Sequence, residues 1–267
     1  MKNCIKKFLV IFFSKLKLFE ISNSINKQDI TFVDQYKNLD DLKKNNLNIS
    51  KYLNDTYDDK NTINYKEKIK FNSVDRNIIL PLIISILSNK EIKILDVGGG
   101  NPPIYEFING LTNKVIKSWI YERKEFVERI KDVIPKNKEN NVIYFHELDQ
   151  IKQENIDIVY FGSSLQYLPN YKNLIKKMIL SFEPEYIIIA DTVFNYSYED
   201  YYVLQVNMKP SIFPNQFISY DKFIKFMNEQ NYQCVFNFNN PSIHVHKSLK
   251  KSDYNFKHII LKKNLGI

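Results

Sequence analysis

Along residues 92–191, short unbroken apolar runs alternate with segments whose apolar residues recur at helical spacing. The runs are IKILDV (92–97), VIKSWIYE (115–122), NVIYF (141–145), DIVYF (157–161) and YIIIAD (186–191), with FVERIKDVI and YKNLIKKMIL as helical patterns between them. Short apolar runs of this kind read as buried strands, and their alternation with helices specifies a mostly parallel sheet covered by helices. The tail breaks the alternation. A helical pattern, YDKFIKFMNEQ, leads to strand candidates at 232–238 and 256–263 with no helical crossover between them, so this pair is expected to close the sheet antiparallel. Ahead of the alternation, RNIILPLIISIL (76–87) reads as an apolar helix begun or kinked near Pro81.

The first third has a different texture. Residues 22–73 are polar, weakly periodic and without Gly or Pro, with only short apolar clusters such as ITFV, and they read as helices and loops capping the rest. In residues 1–20, Ile5, Phe8, Leu9, Phe12, Leu16 and Phe19 share one helical stripe, with lysines largely elsewhere. Such a stripe serves either docking on the protein's own domain or an interfacial membrane contact. The unbroken run at 8–13 falls short of the roughly 7 residues of a signal-peptide core and the roughly 18 of a membrane span, and Lys15 and Lys17 occupy the cleavage region. The expected division is a helical amino-terminal region, 1–72, opening with a basic amphipathic helix at 1–20, and one α/β domain, 73–267.

Composition narrows the partners. With 44% apolar and 14% aromatic residues over 267 positions the chain supports a real core. A net charge of +8 suits phosphate-bearing substrates or an anionic surface, but the lysines are scattered and arginines few, so no nucleic acid is expected. Cys4 and Cys234 give neither a disulfide framework nor a metal cluster, and a reducing cytoplasm fits. His244 and His246 would share a strand face, but no Cys or close carboxylate completes a ligand set, so no metal is expected.

The chemistry concentrates where the first strand run ends. Gly98, Gly99 and Gly100 are half of the chain's 6 glycines, and Pro102 and Pro103 follow. A strand passing through glycines into a helix is where an open parallel sheet receives a nucleotide, because glycine lets the backbone approach the ligand. The dinucleotide fingerprint needs a third glycine where Pro103 stands, and no GK[ST] follows to make a phosphate loop. The remaining pattern is Asp96-x-Gly98-x-Gly100, with Glu122 ending the next strand run, where a carboxylate can accept from both hydroxyls of a ribose.

This combination resembles the first motif and ribose-binding acid of class I S-adenosylmethionine-dependent methyltransferases. Further stretches, "LDVGGGNPP", "WIYE", "DIVYFGSSLQYLPNY", "YIIIADTVF", "LQVNMKPSIFPNQFIS" and "NYQCVF", look like a bacterial methyltransferase family associated with surface polysaccharide, such as capsule or O-antigen, over roughly residues 30–240. The resemblance implies an α/β, Rossmann-like class I methyltransferase fold, with a mostly parallel seven-stranded sheet and an antiparallel last strand. It implies S-adenosylmethionine as cofactor, held by Asp96, Gly98, Gly99, Gly100, Glu122, Ser163 and, around the adenine, Glu147 and Leu148 of FHELDQ. Gln166 and Tyr167 then rim the acceptor site, and the segment after the fifth strand run, with Gln205, Pro210 and Pro214, forms a substrate wall. Gly162-Ser163-Ser164 stands where enzymes that methylate base or glutamine nitrogens carry Asn/Asp-Pro-Pro-aromatic, which argues against those acceptors.

The implied reaction is methyl transfer to a small-molecule or glycan-precursor acceptor. Oxygen is favoured, first a sugar hydroxyl and second a phosphate or phosphoramidate oxygen in capsule biosynthesis. Asp191, ending the fifth run, and His146 are the candidate proton acceptors, and an already ionised acceptor needs none. Two rivals remain open at this point, a non-catalytic scaffold of the same fold at the membrane and a nicotinamide-dependent sugar enzyme. The expected location is cytoplasmic, with peripheral contact at the inner membrane face through residues 1–20 if that stripe faces lipid.

Overall fold

The structure, a computed structural model, describes residues 30–45, 79–109, 111–151, 153–206, 212–240, 245–246 and 253–264. In chain order the elements are β1 (Ile30–Tyr36), α1 (Leu39–Asn45), α2 (Ile79–Ile86), β2 (Glu91–Val97), α3 (Tyr105–Ile108), β3 (Val115–Tyr121), α4 (Lys124–Lys131) and β4 (Val142–Phe145). There follow β5 (Ile158–Gly162), α5 (Tyr171–Phe182), β6 (Tyr186–Asn195), β7 (Tyr201–Val206), β8 (Ile212–Ser219), α6 (Tyr220–Glu229), β9 (Tyr232–Asn239), β10 (Val245–His246) and β11 (Tyr254–Lys263). They belong to two compact units.

The larger unit holds α2 to α6 with β2 to β5, most of β6, β9 and most of β11. Its sheet grows outward from β2, which pairs in parallel with β3 from Glu91↔Val115 to Val97↔Tyr121 and with β5 from Ile94↔Ile158. The β3–β4 and β5–β6 pairs are also parallel, and β11 lies between β6 and β9, antiparallel to β9. The order β4-β3-β2-β5-β6-β11-β9 is the Rossmann-like arrangement expected from the sequence, including the antiparallel last strand. Strands buried on both faces read as continuous apolar runs, and β6 is buried along its whole length. The helices supply one apolar stripe each: Ile79, Leu80, Ile83 and Ile84 from α2, and Val127 and Ile130 from α4, pack with Ile94, Ile120 and Ile158 of the strands. Pro81 is tolerated because it lies in the first turn of α2, where a backbone N–H has no acceptor within the helix.

The smaller unit corrects the expectation that the amino-terminal region consists of helices and loops. ITFV is part of a strand, β1, which pairs antiparallel with β7 from Thr31↔Val206 to Tyr36↔Tyr202 and parallel with β10. Phe32 is wholly buried, meeting the rings of Phe217 and Tyr254 edge-on at 4.8 and 5.8 Å. The segment after the fifth strand run, expected to form a substrate wall, is largely the antiparallel β7–β8 pair and not loop. Both misreadings have one cause, since these strands draw their stability from partners distant in sequence and carry little local signal of their own. The amphipathic stripe at 1–20, most of 1–72, Pro210 and His244 lie outside the described residues. Among the described residues, no helix is long and apolar enough to cross a membrane.

Candidate functional site

Beyond β2 the backbone turns through conformations that favour glycine. Gly98 has φ +70° and Gly100 φ +59°. Gly98 N donates to Tyr121 O at 2.9 Å, so the turn begins against the end of β3. A Cβ on Gly98 would come within 2.7 Å of the Ser164 Cβ, and one on Gly99 would overlap the Asp96 carboxylate. Packing therefore requires the first two glycines. Gly100 differs, because a Cβ there would meet nothing within 4 Å and only its φ excludes a side chain. Asp96, 1% exposed, accepts from Ile104 N at 3.3 Å and ties the chain after Pro102 and Pro103 back to β2.

Two neighbouring strands fix Gly100 from both sides. Gly100 N donates to Glu122 Oε1 at 3.1 Å, and the Tyr144 hydroxyl donates to Gly100 O at 2.9 Å. Glu122 Oε2 accepts from Arg123 N at 3.1 Å. Burial pushes the Glu122 carboxyl above the usual range, against the opposing pull of the Arg123 and Gly100 backbone donors and the Arg123 charge. Each carboxylate oxygen retains lone-pair capacity beyond these donors. The turn is thus an open cradle beside an acidic strand end.

At the end of β4, His146 N and Glu147 N both donate to Gln150 Oε1, at 3.3 and 3.4 Å, which folds the segment onto the one-turn 3-10 helix Leu148–Ile151. Glu147 is exposed and Leu148 half-buried. His146 Nε2 stands 3.8 Å from Glu147 Oε1, an ion pair only when the imidazole is protonated. The order of strands puts His146 and Asp191 four inter-strand spacings apart, roughly 19 Å, so the two candidate bases serve different ends of the sheet.

The loop after β5 joins the glycine turn to β6. Ser164 Oγ donates to Val97 O, Ser163 N donates to Ala190 O at 2.8 Å, and Ser163 Oγ donates to Asp191 O at 3.4 Å. Ser163 and Asp191 both have positive φ, +58° and +49°. Gln166, 2% exposed, donates through Nε2 to Ser163 O at 3.2 Å, while its Oε1 is buried without a hydrogen-bond partner among the described residues. Tyr167 is half-buried on the same turn. The Asp191 carboxylate is occupied: Oδ1 accepts from Asn240 Nδ2 at 2.5 Å and faces His258 Nε2 at 3.0 Å. Phe238 stacks on the His258 ring at 4.5 Å.

The larger unit therefore gathers the sequence-predicted site residues apart from the expected substrate wall; Gln205 and Pro214 lie in the smaller unit, where Gln205 Oε1 accepts from Asn215 Nδ2 at 2.5 Å. Sequence reasoning missed Ser164, Gln150, Asn240 and His258. Gln150 stood inside the quoted FHELDQ; His258, a histidine within an otherwise apolar strand run, was the one signal for the far end.

No protein-family model matches the sequence, and no curated protein matches it. Among solved structures, the chain is similar to the 1,6-didemethyltoxoflavin-N1-methyltransferase of Burkholderia thailandensis, with 11% identity, 71% of this chain and 76% of that chain covered, and a TM-score of 0.44. A methyltransferase of Clostridium acetobutylicum described as S-adenosylmethionine-dependent shares 11% identity over 82% of this chain and 99% of that one, with a TM-score of 0.46. The CcbJ methyltransferase of Streptomyces caelestis gives 10%, 71% and 94%, and 0.45. At such values the fold stands on the chain's own strand order and register.

Proposed function

We propose that the larger unit is an S-adenosylmethionine-dependent methyltransferase acting on a small-molecule or glycan-linked acceptor. The observation that carries this reading is the turn at Gly98–Gly100, opened to ligand at Gly100 and joined to Glu122 by the 3.1 Å bond from Gly100 N. A cofactor with a ribose fits these residues, because Glu122 keeps lone pairs for two hydroxyls and the glycine backbone leaves room for close approach. Asp96 and Gly98 to Gly100 would hold the methionine part together with Ser163, and Glu147 and Leu148 would border the adenine. Bound there, the cofactor supplies an electrophilic methyl group. Gln166, buried with Oε1 open to a donor, and Tyr167 would contact the acceptor.

The finer reading favours oxygen as the methylated atom, on a sugar hydroxyl or a phosphate-type oxygen in surface-polysaccharide assembly. The net charge of +8 supports a phosphate-bearing precursor. The apolar stripe at 1–20 supports peripheral contact with the inner membrane face, and liposome sedimentation of the chain with and without those residues tests it, equal recovery removing the contact.

Calorimetry tests the core of the proposal. S-Adenosylmethionine and S-adenosylhomocysteine are expected to bind in the micromolar range and NAD not at all; NAD binding without the other two would replace this reading with a nicotinamide enzyme. Incubation with methyl-labelled S-adenosylmethionine and a bacterial metabolite extract then identifies the acceptor by its label.

A further inference from the structure

Asp191, expected at the end of the fifth strand run, lies within β6, one residue beyond the parallel register with β5 that ends at Gly162↔Ala190, and both of its neighbours treat it as an acceptor to be held in place. Asn240 Nδ2 and His258 Nε2 converge on one oxygen, Oδ1, at 2.5 and 3.0 Å. In the neutral ring, Nε2 facing a carboxylate at that distance carries the proton, and Nδ1 is then the lone-pair nitrogen. Nδ1 is buried, with no hydrogen-bond partner among the described residues, in a side chain only 3% exposed. The opposite tautomer would set a lone pair against Asp191 and bury an unpaired N–H, a cost of about 1–3 kcal/mol. Phe238 stacks on one face of the ring at 4.5 Å with 18° between the planes. Lys257, the charged neighbour in sequence, is turned to Asn239 Oδ1 at 2.8 Å and to the Tyr220 ring.

A run of contacts joins this pair to the glycine turn. Ser164 bonds Val97 O beside Gly98, and Ser163 next to it bonds Asp191 O at 3.4 Å. Positive φ at Ser163 and Asp191 adds backbone strain of the kind that gathers at ligand sites.

We propose that His258 is the proton acceptor of the methyl-transfer site, taking the acceptor's proton at Nδ1, with Asp191 and Asn240 as positioning residues. The assignment rests on the methyltransferase reading above. As the acceptor oxygen or nitrogen forms its bond to the methyl carbon of the sulfonium donor, its proton passes to Nδ1. The carbon–sulfur bond breaks with its electron pair remaining on sulfur, and the imidazolium formed is stabilised by the Asp191 carboxylate.

Nitrogen-15 NMR of the uniformly labelled full chain tests this without an identified acceptor. The chain has only 4 histidines, and the ring signals lost in His258→Gln assign this one. At neutral pH the expected result is an Nε2–H tautomer with a pyridine-type Nδ1 whose signal moves on addition of S-adenosylmethionine and to a different position with S-adenosylhomocysteine, since only the former carries a sulfonium charge. In Asp191→Asn the tautomer becomes mixed. A protonated Nδ1, or an Nδ1 signal indifferent to both compounds when calorimetry shows them bound, overturns the assignment and leaves the methyltransferase reading intact. Absence of binding by calorimetry overturns the reading and the assignment with it.

Discussion

The glycine turn after β2 and the cluster around Asp191 of β6 belong to one sheet, but the first is built of backbone and the second of side chains. At the turn, the backbone of Gly98–Gly100 forms the cradle, held by hydrogen bonds to Glu122 and from Tyr144. At β6, imidazole, carboxylate and carboxamide groups from three separate segments meet at Asp191 Oδ1. Backbone recognition is insensitive to side-chain identity but intolerant of added volume, whereas a side-chain cluster keeps its shape under isosteric change and loses its chemistry. Substitutions at the first region should therefore act on donor affinity, and those at the second on the rate of transfer.

The largest effect expected is that of Gly99→Ala. Its Cβ would overlap the buried Asp96 carboxylate, so the turn must shift. Donor affinity by calorimetry is expected to fall at least ~100-fold, roughly 2.7 kcal/mol. Asp191→Asn should do the reverse, lowering methyl transfer to the identified acceptor by ~100-fold, the scale of a misplaced general base, while donor affinity stays within about threefold. Equal loss of donor affinity in both variants would break the distinction between the two regions.

Next in size is Glu122→Gln, expected to weaken the donor about 10-fold, or about 1.4 kcal/mol. The ionised carboxylate accepts hydroxyls and the protonated one donates, so wild-type affinity should fall on acidification. Because burial raises this carboxyl's folded-state pKa, the fall should begin above the usual glutamate range. Stability runs the other way: a raised folded-state pKa means this group's contribution is complete at low pH and is lost as pH rises through that window. The differences between wild type and Glu122→Gln, by calorimetry and by thermal melts from pH 5 to 7.5, should run with opposite slopes; parallel slopes would remove Glu122 from the ribose.

The same contrast governs what could be read from the sequence. Asp96, Gly98, Gly100 and Glu122 lie in one window, on two adjacent strands whose apolar runs are unmistakable, so turn and acid were legible together. The β6 cluster was half legible: Asp191 closes the apolar run YIIIAD, but His258 reaches it through the β6–β11 pairing and Asn240 through the β11–β9 pairing, which no local spacing encodes. β1 was lost for a related reason. Its ITFV cluster is only four residues long, with no Gly or Pro beside it, and its register is set by β7, far along the chain. Burial of Gln205 and Asn215 against each other likewise depends on the β7–β8 register, which sets Gln205 opposite Phe213 and Asn215 opposite Val203 and so makes the two polar residues diagonal neighbours.

The smallest effect tests whether the turn is held by its own conformation or by its neighbours. Gly100→Ala meets no atom within 4 Å, so its cost is that of a Cβ at φ +59°, about 1–2 kcal/mol. Tyr144→Phe leaves the glycine in place and removes only the hydroxyl that donates to Gly100 O, a net loss of about 1 kcal/mol in urea denaturation. Donor affinity should follow the turn's conformation more than its total stability. Gly100→Ala is thus expected to weaken the donor more than Tyr144→Phe does, even when the two melt together. If Tyr144→Phe weakened the donor as much, the side-chain bond from β4 would be shaping the turn, and the division into a backbone-built and a side-chain-built region would have to be redrawn at Gly100.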